Sequence, residues 1–171
     1  MKFRLFLAVT LLAGCATTGQ QNLTDSEIAM IMRVSNIAEV REGEVARTKA
    51  TSGDVRDFAT MMVTEHTSQN NKAEAELARA DVASSDTMLS RQLDAESGEA
   101  ADRLRPLSGA AFDRAYIGRQ VDAHQSFLTM IDTKLTPTAR KKAVKEQLTD
   151  LRKLIDKHLA RAKQIQGSLP R

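Results

Sequence analysis

Three histidines, His66, His124 and His158, are the only imidazoles in the chain, and helical counting puts each on an apolar stripe. His66 lines up with Val55, Met62 and Ala73, and His124 lies between Gln120 and Ile131. His158 stands in a seam of Leu148, Leu151, Ile155, Ala162 and Ile165. An imidazole on such a face must hydrogen-bond or ligate, because an unpaired buried polar group costs about 1–3 kcal/mol. Acids share these faces: Glu39 and Glu42 on the first helix, and Asp113, with Tyr116, on the third long one. Imidazole and carboxylate suit zinc, iron or manganese, so one reading is a divalent metal site of Glu39, His66 and His124, with Glu42 as a fourth ligand. The simpler expectation needs no cofactor. In it, buried pairs Glu39–His66 and Asp113–His158, with Tyr116 on the latter's face, hydrogen-bond and fix helix register. Di-iron bundles use Glu-x-x-His on two helices. Here the residues three before the histidines are Val63, Val121 and Ile155, which argues against a ferroxidase-type centre.

Helices must carry these side chains, since no segment reads as a strand. Thr24 and Glu27 form a capping box, and a helix follows to about Ala50. Thr51-Ser52-Gly53 breaks it, and a second helix runs from about Asp54 to Ala80. A shorter amphipathic helix spans about residues 87–105 and stops at Pro106. A third long helix begins near Ser108-Gly109 and is expected to end near Leu135, because Pro137 disfavours helix at Thr136. The last carries Val144 to Ile165. With 42% hydrophobic residues but only 4% aromatics, the core must be aliphatic, as in helix bundles. The expected fold is all-α: a ferritin-like four-helix bundle whose long connection, with its own crossover helix, makes the second and third long helices parallel. Hairpins turning near residues 52 and 136 would set Glu39 opposite His66, and Asp113 opposite His158. Glu39, His66 and His124 would then share a level, with His158, Asp113 and Tyr116 roughly 10–12 Å lower.

The N-terminus sets the compartment. Met1 to Arg4 is a positive n-region, Leu5 to Leu12 an apolar stretch, and Leu12-Ala13-Gly14-Cys15 closely resembles a bacterial lipobox. Cys15, the only cysteine, would carry the lipid, which leaves no redox or disulfide role to assign. Residues 1–14 are the expected signal peptide, 15–23 a lipidated tether, 24–167 the bundle and 168–171 a tail. Ala16, rather than Asp, favours the outer membrane under enteric-type lipoprotein sorting. The expected place is therefore the periplasmic face of that membrane in a Gram-negative bacterium. The formal charge of +3 falls to +1 without Lys2 and Arg4, and the remaining charges alternate in sign, so no nucleic-acid partner is expected. The membrane, through the anchor, is the one partner the sequence names; protein partners are unknown. There is no Gly-x-Ser-x-Gly elbow and no glycine-rich phosphate loop, and Met30, Met32, Met61 and Met62 read as core packing.

Val55 to Thr67, Leu107 to His124, Leu148 to Ala160 and the spacing Glu39-x-x-x-Gly43-x-x-Ala46 together resemble the domain of unknown function 4142 family. Phe112 to Tyr116 is the most specific stretch, and the likeness covers about residues 25–166. The family pattern has Asp-His-Thr where this chain has Glu65-His66-Thr67, and tends to Leu-Pro where it has Leu148-Thr149. The resemblance implies a ferritin-like bundle in an exported protein and brings no agreed activity. The functional expectation is a non-enzymatic, stress-related envelope module, structural or interacting. The alternative is a metal-binding or redox protein.

Overall fold

Thr24 and Glu27 close the expected capping box in the computed structural model, which describes residues 22–170. Cys15, the signal peptide and all of the tether but its last two residues lie outside the described residues. Five substantial helices follow in order: α1 (Asp25–Lys49), α2 (Gly53–Arg79), α3 (Met88–Leu104), α4 (Gly109–Met130) and α6 (Lys142–Ser168). Between the last two come a π-helical turn, Ile131–Leu135, and a single turn α5, Thr136–Thr138. No strand occurs among the described residues, and none of their helices is long and apolar enough to cross a membrane.

The π turn corrects the sequence reading. Pro137 does not stop the helix at Leu135; it sits in the first turn of α5, where its missing N–H is harmless. The chain therefore reverses later. Asp132–Arg152 and His124–His158 face each other across the hairpin, with midpoints at residues 142 and 141 rather than 136. The first hairpin turns where expected: Asn36 meets His66, with its midpoint at residue 51.

Cross-helix contacts also give the directions. Lys72–Asp150 and Glu65–Lys157 run α2 antiparallel to α6, and Glu42–Arg119 and Glu39–His124 run α1 antiparallel to α4. Hence α2 and α4 are parallel, as the length of their connection requires. Within that connection α3 lies chiefly along α1, and Arg41 pairs with Asp94.

The apolar interior falls into two clusters. Ile28, Met32, Leu77, Ile131, Val144 and Leu148 belong to one, and Ala46, Phe58, Met62, Phe112, Tyr116 and Ile165 to the other. Between them every long helix contributes buried polar groups: Asn36 and Glu42, His66, Gln120 and His124, and His158. Helices α1 and α2 touch closely beside this layer because Gly43 has no side chain. A Cβ there would lie 2.9 Å from Val63 Cγ2 and 3.2 Å from the Ala59 carbonyl oxygen. Gly43→Val is therefore expected to cost about 1–3 kcal/mol through overpacking, despite a better helix former, as read from urea unfolding midpoints. An unchanged midpoint would refute this account of the α1–α2 contact.

Candidate metal centre

His66 on α2, His124 on α4 and His158 on α6 are each at most 1% exposed, and their rings meet. Ring centroids lie 5.0 Å apart for His66–His158, 5.7 Å for His124–His158 and 6.0 Å for His66–His124. One ring nitrogen from each lies within 4.8 Å of the others.

What holds the rings is a separate oxygen acceptor on the outer side of each. His66 Nδ1 lies 2.9 Å from Asn36 Oδ1, and His124 Nδ1 lies 2.9 Å from the Gln120 carbonyl one turn back. His158 Nε2 lies 2.9 Å from a Glu65 carboxylate oxygen, which Lys157 also holds at 2.8 Å. An N–H on each outer nitrogen leaves a bare lone pair on His66 Nε2, His124 Nε2 and His158 Nδ1. Of these, His124 Nε2 is buried without a partner, and His158 Nδ1 stands 3.2 Å from His66 Nε2. Outer-shell oxygens that fix the tautomer are how proteins orient metal-binding histidines.

The carboxylates take other places than their helical faces suggested. Glu39 does not bond His66; its Oε1 lies 3.9 Å from His124 Nδ1, on that ring's outer side. Asn36, one turn earlier on the same face, is the partner of His66. Glu42 is fully buried but turned to Arg119, at 3.0 Å, and to Gln120 Nε2, at 3.2 Å, away from the three imidazoles. Asp113 does not face His158. Its carboxylate accepts from the backbone N–H groups of Thr51 and Ser52 and from the Thr51 hydroxyl, at 2.6–3.1 Å. It thereby caps α2, whose own N-cap Ser52 makes no side-chain bond. Tyr116 packs with Phe58 and Phe112, and its hydroxyl has no partner. The cause is axial: the late turn moves His158 up to His124, about eleven residues or roughly 16 Å along α4 from Asp113. His158, Asn36 and Glu65 are thus the residues that reading by faces left out of the centre. Placement of all three histidines on core stripes was the one signal that pointed to His158.

Burial dominates the electrostatics. It lowers the pKa of His124 and His158 to about 4, and lowers that of His66 as well, with the neighbouring imidazoles adding to the effect. Burial likewise raises Glu39 and Glu42 to about 7, Glu42 being raised further by Glu39 while Arg119 opposes both. Tyr116 is held well above its ordinary value by burial, then by Glu39 and Glu42. Beside the centre lies a cavity of about 190 Å³, bordered by α1, α2, α3, α4 and α6, with His66, His124, Glu39 and Arg119 in its wall.

Comparison with known proteins follows the same outline. The model of the family described as a domain of unknown function, DUF4142, matches residues 11–165. The crystal structure of a DUF305 protein from Streptomyces coelicolor, named as secreted, superposes with a TM-score of 0.68 at 12% identity. That match covers 82% of this chain and 90% of the other, and at such identity it speaks for the fold alone. No curated protein matches the sequence.

Opposed pH effects follow from these groups in the metal-free protein. An unfolded chain takes up protons on its histidines as pH falls through 6.5, whereas folded His124 and His158 resist to about 4, so this stability is present above 6.5 and lost on the way down. Glu39 and Glu42 act oppositely: their stability is full below the ordinary 4.5 and lost as pH rises to about 7. Three imidazoles against two coupled carboxyls give a net loss, so the urea midpoint is expected to fall from pH 6.5 to 4. A midpoint that rises over that interval would show that the imidazoles are not buried neutral.

Proposed function

The chain belongs to the DUF4142 family, and on that premise we propose that it is an exported, lipid-anchored helical protein that binds one divalent transition-metal ion through His66, His124 and His158. One observation carries the reading: each outer ring nitrogen faces an oxygen acceptor, which leaves a lone pair on the other nitrogen of three buried rings that each bring a nitrogen within 4.8 Å of the others. Lone pairs 3.2 Å apart repel unless a proton or a cation lies between them. A tetrahedral ion with nitrogens at about 2.0–2.1 Å sets its ligands roughly 3.3 Å apart, close to that separation. A first sphere of imidazoles suits zinc or copper(II) better than manganese, and places Glu39 and Glu42 behind the ligands rather than among them. Two antiparallel hairpins joined by a lengthwise crossover fit a ferritin-like four-helix bundle as the scaffold.

A second reading is favoured by one contact. With the Asn36 amide turned over, its Nδ2, which otherwise lacks a partner, donates to His66 Nδ1, and His66 Nε2–H donates to His158 Nδ1. The layer is then a hydrogen-bonded device that fixes helix register in a structural or interaction module. His124 Nε2 stays unsatisfied in that arrangement, which is why the metal is preferred.

Elemental analysis of protein purified without tag or chelator is expected to find about one equivalent of zinc or copper; less than a tenth would sink the metal reading. Added metal is expected to raise the melting temperature of the wild type and to leave His66→Gln, His124→Gln and His158→Gln variants unmoved. Because burial keeps His124 and His158 neutral to about pH 4, the ion should stay bound at pH 5.5, where an exposed histidine cluster releases it.

For the anchor, the lipobox at Cys15 supports export, and Ala16 supports the outer membrane. Cells fed radioactive palmitate are expected to label the wild type in the outer-membrane fraction and to leave Cys15→Ser unlabelled. Equal labelling of both would remove Cys15 as the acceptor.

A further inference from the structure

We propose that the cavity beside the three histidines is a binding site for a small amphiphilic monocarboxylate, whose carboxylate faces the histidine centre and Arg119 and whose body lies on an apolar wall. This rests on the reading of the histidines as a metal centre.

Unsatisfied polarity is concentrated here. Among the described residues, eight buried side-chain polar atoms lack a hydrogen-bond partner. Five of them, Asn36 Nδ2, Glu39 Oε2, Ser97 Oγ, Arg119 Nε and His124 Nε2, belong to residues that line this one cavity. Native interiors leave few such groups unpaired, and a cluster of them around one space marks a place where something else completes the bonding. With His124 Nε2 taken by the ion, the groups on Asn36 and Arg119 are donors and the Ser97 hydroxyl can donate, so the missing partner offers acceptors. Glu39 Oε2 is the carboxylate oxygen among the five.

Charge points the same way. Three neutral imidazoles leave both charges of a divalent ion uncompensated, and a three-histidine set leaves one position of a tetrahedral ion open. Glu42 offsets Arg119 at 3.0 Å but faces away from the imidazoles. An anion at the open position therefore completes the coordination, beside the carboxylates of Glu39, 3.9 Å from His124, and of Glu65, on His158.

Size and lining then narrow the class. A cavity of about 150 Å³ holds a benzene molecule, so about 190 Å³ accepts a single ring or short branched chain bearing one carboxylate. Leu93, Phe127, Met130, Leu151 and Ile155 make the apolar part of the wall, which gives nothing to a purely inorganic anion but buries the hydrocarbon part of a carboxylic acid, and Glu96 also borders the space. Leu93 and Ser97 both come from α3, so the crossover helix is part of the site.

Cobalt(II)-loaded protein titrated with benzoate tests this. Cobalt alone is expected to give a visible ligand-field band that His158→Gln lacks. Benzoate is then expected to shift that band saturably at one equivalent. Arg119→Gln should keep the band and weaken benzoate about tenfold or more. Leu93→Trp, which fills the cavity from α3, should keep both the band and a cooperative melt and abolish the shift. A normal cobalt band that benzoate does not move, or that moves equally in Leu93→Trp, overturns the inference and leaves the metal reading standing. Absence of any cobalt band removes the metal reading and this inference with it.

Discussion

His66 Nε2 and His158 Nδ1 meet at 3.2 Å, between helices whose contacting residues are 92 apart in sequence, deep inside the protein. Two imidazoles brought that close out of water cost free energy unless every ring nitrogen finds a partner. The surroundings are arranged to supply them. Asn36, Glu65 and the Gln120 carbonyl come from three different helices, and each takes one outer nitrogen. A slide of α1 or α6 against α2 by one residue, about 1.5 Å, would break one of these bonds and leave a buried group unpaired. The polar layer thus fixes the axial register that a smooth aliphatic core leaves loose.

On either side of the layer the structure is built to keep that register. The two apolar clusters grip the helix ends with Leu, Ile, Val and Phe, and Gly43 lets α1 and α2 approach at the layer itself. Both turns are clamped by carboxylates borrowed from other helices. Asp113 of α4 holds the N–H groups of Thr51 and Ser52, and Asp25 of α1 holds those of Arg140 and Lys141. These clamps satisfy backbone donors that helix starts leave unpaired, and they tie the two hairpins together at opposite ends. Charge inside the layer is kept low as well. The imidazoles are neutral, and the Glu39–Glu42 pair is pushed toward its acid form beside a single Arg119. A low-dielectric interior tolerates such a neutral, hydrogen-bonded arrangement far better than separated ions.

Such a layer gives the crossover helix α3 more than a connecting role. It covers the side of α1 where Glu39 and Glu42 approach α4, and it closes the cavity that His66 and His124 border. The result is a buried polar centre with a cavity of about 190 Å³ beside it. The region lies within residues 11–165, the segment that matches the DUF4142 family model.

By itself the sequence determined which residues are helical and which way each side chain faces, because both are local properties of a 3.6-residue period, caps and breakers. The Thr24 capping box, the Gly53 and Pro106 boundaries, and the placement of all three histidines on core stripes were legible in that way. The parallel course of α2 and α4 was legible too, from the length of their connection. Only the tertiary structure decided which faces meet at the same height. Axial offset is set by the turns, and the π turn at Ile131–Leu135 lets the chain run past Pro137 before it reverses. That delay brings His158 level with His66 and His124 and away from Asp113, which caps α2 instead. A residue's face depends on its neighbours in the helix, whereas its partner depends on every residue in the turn, and one irregular turn was enough to rewrite the centre.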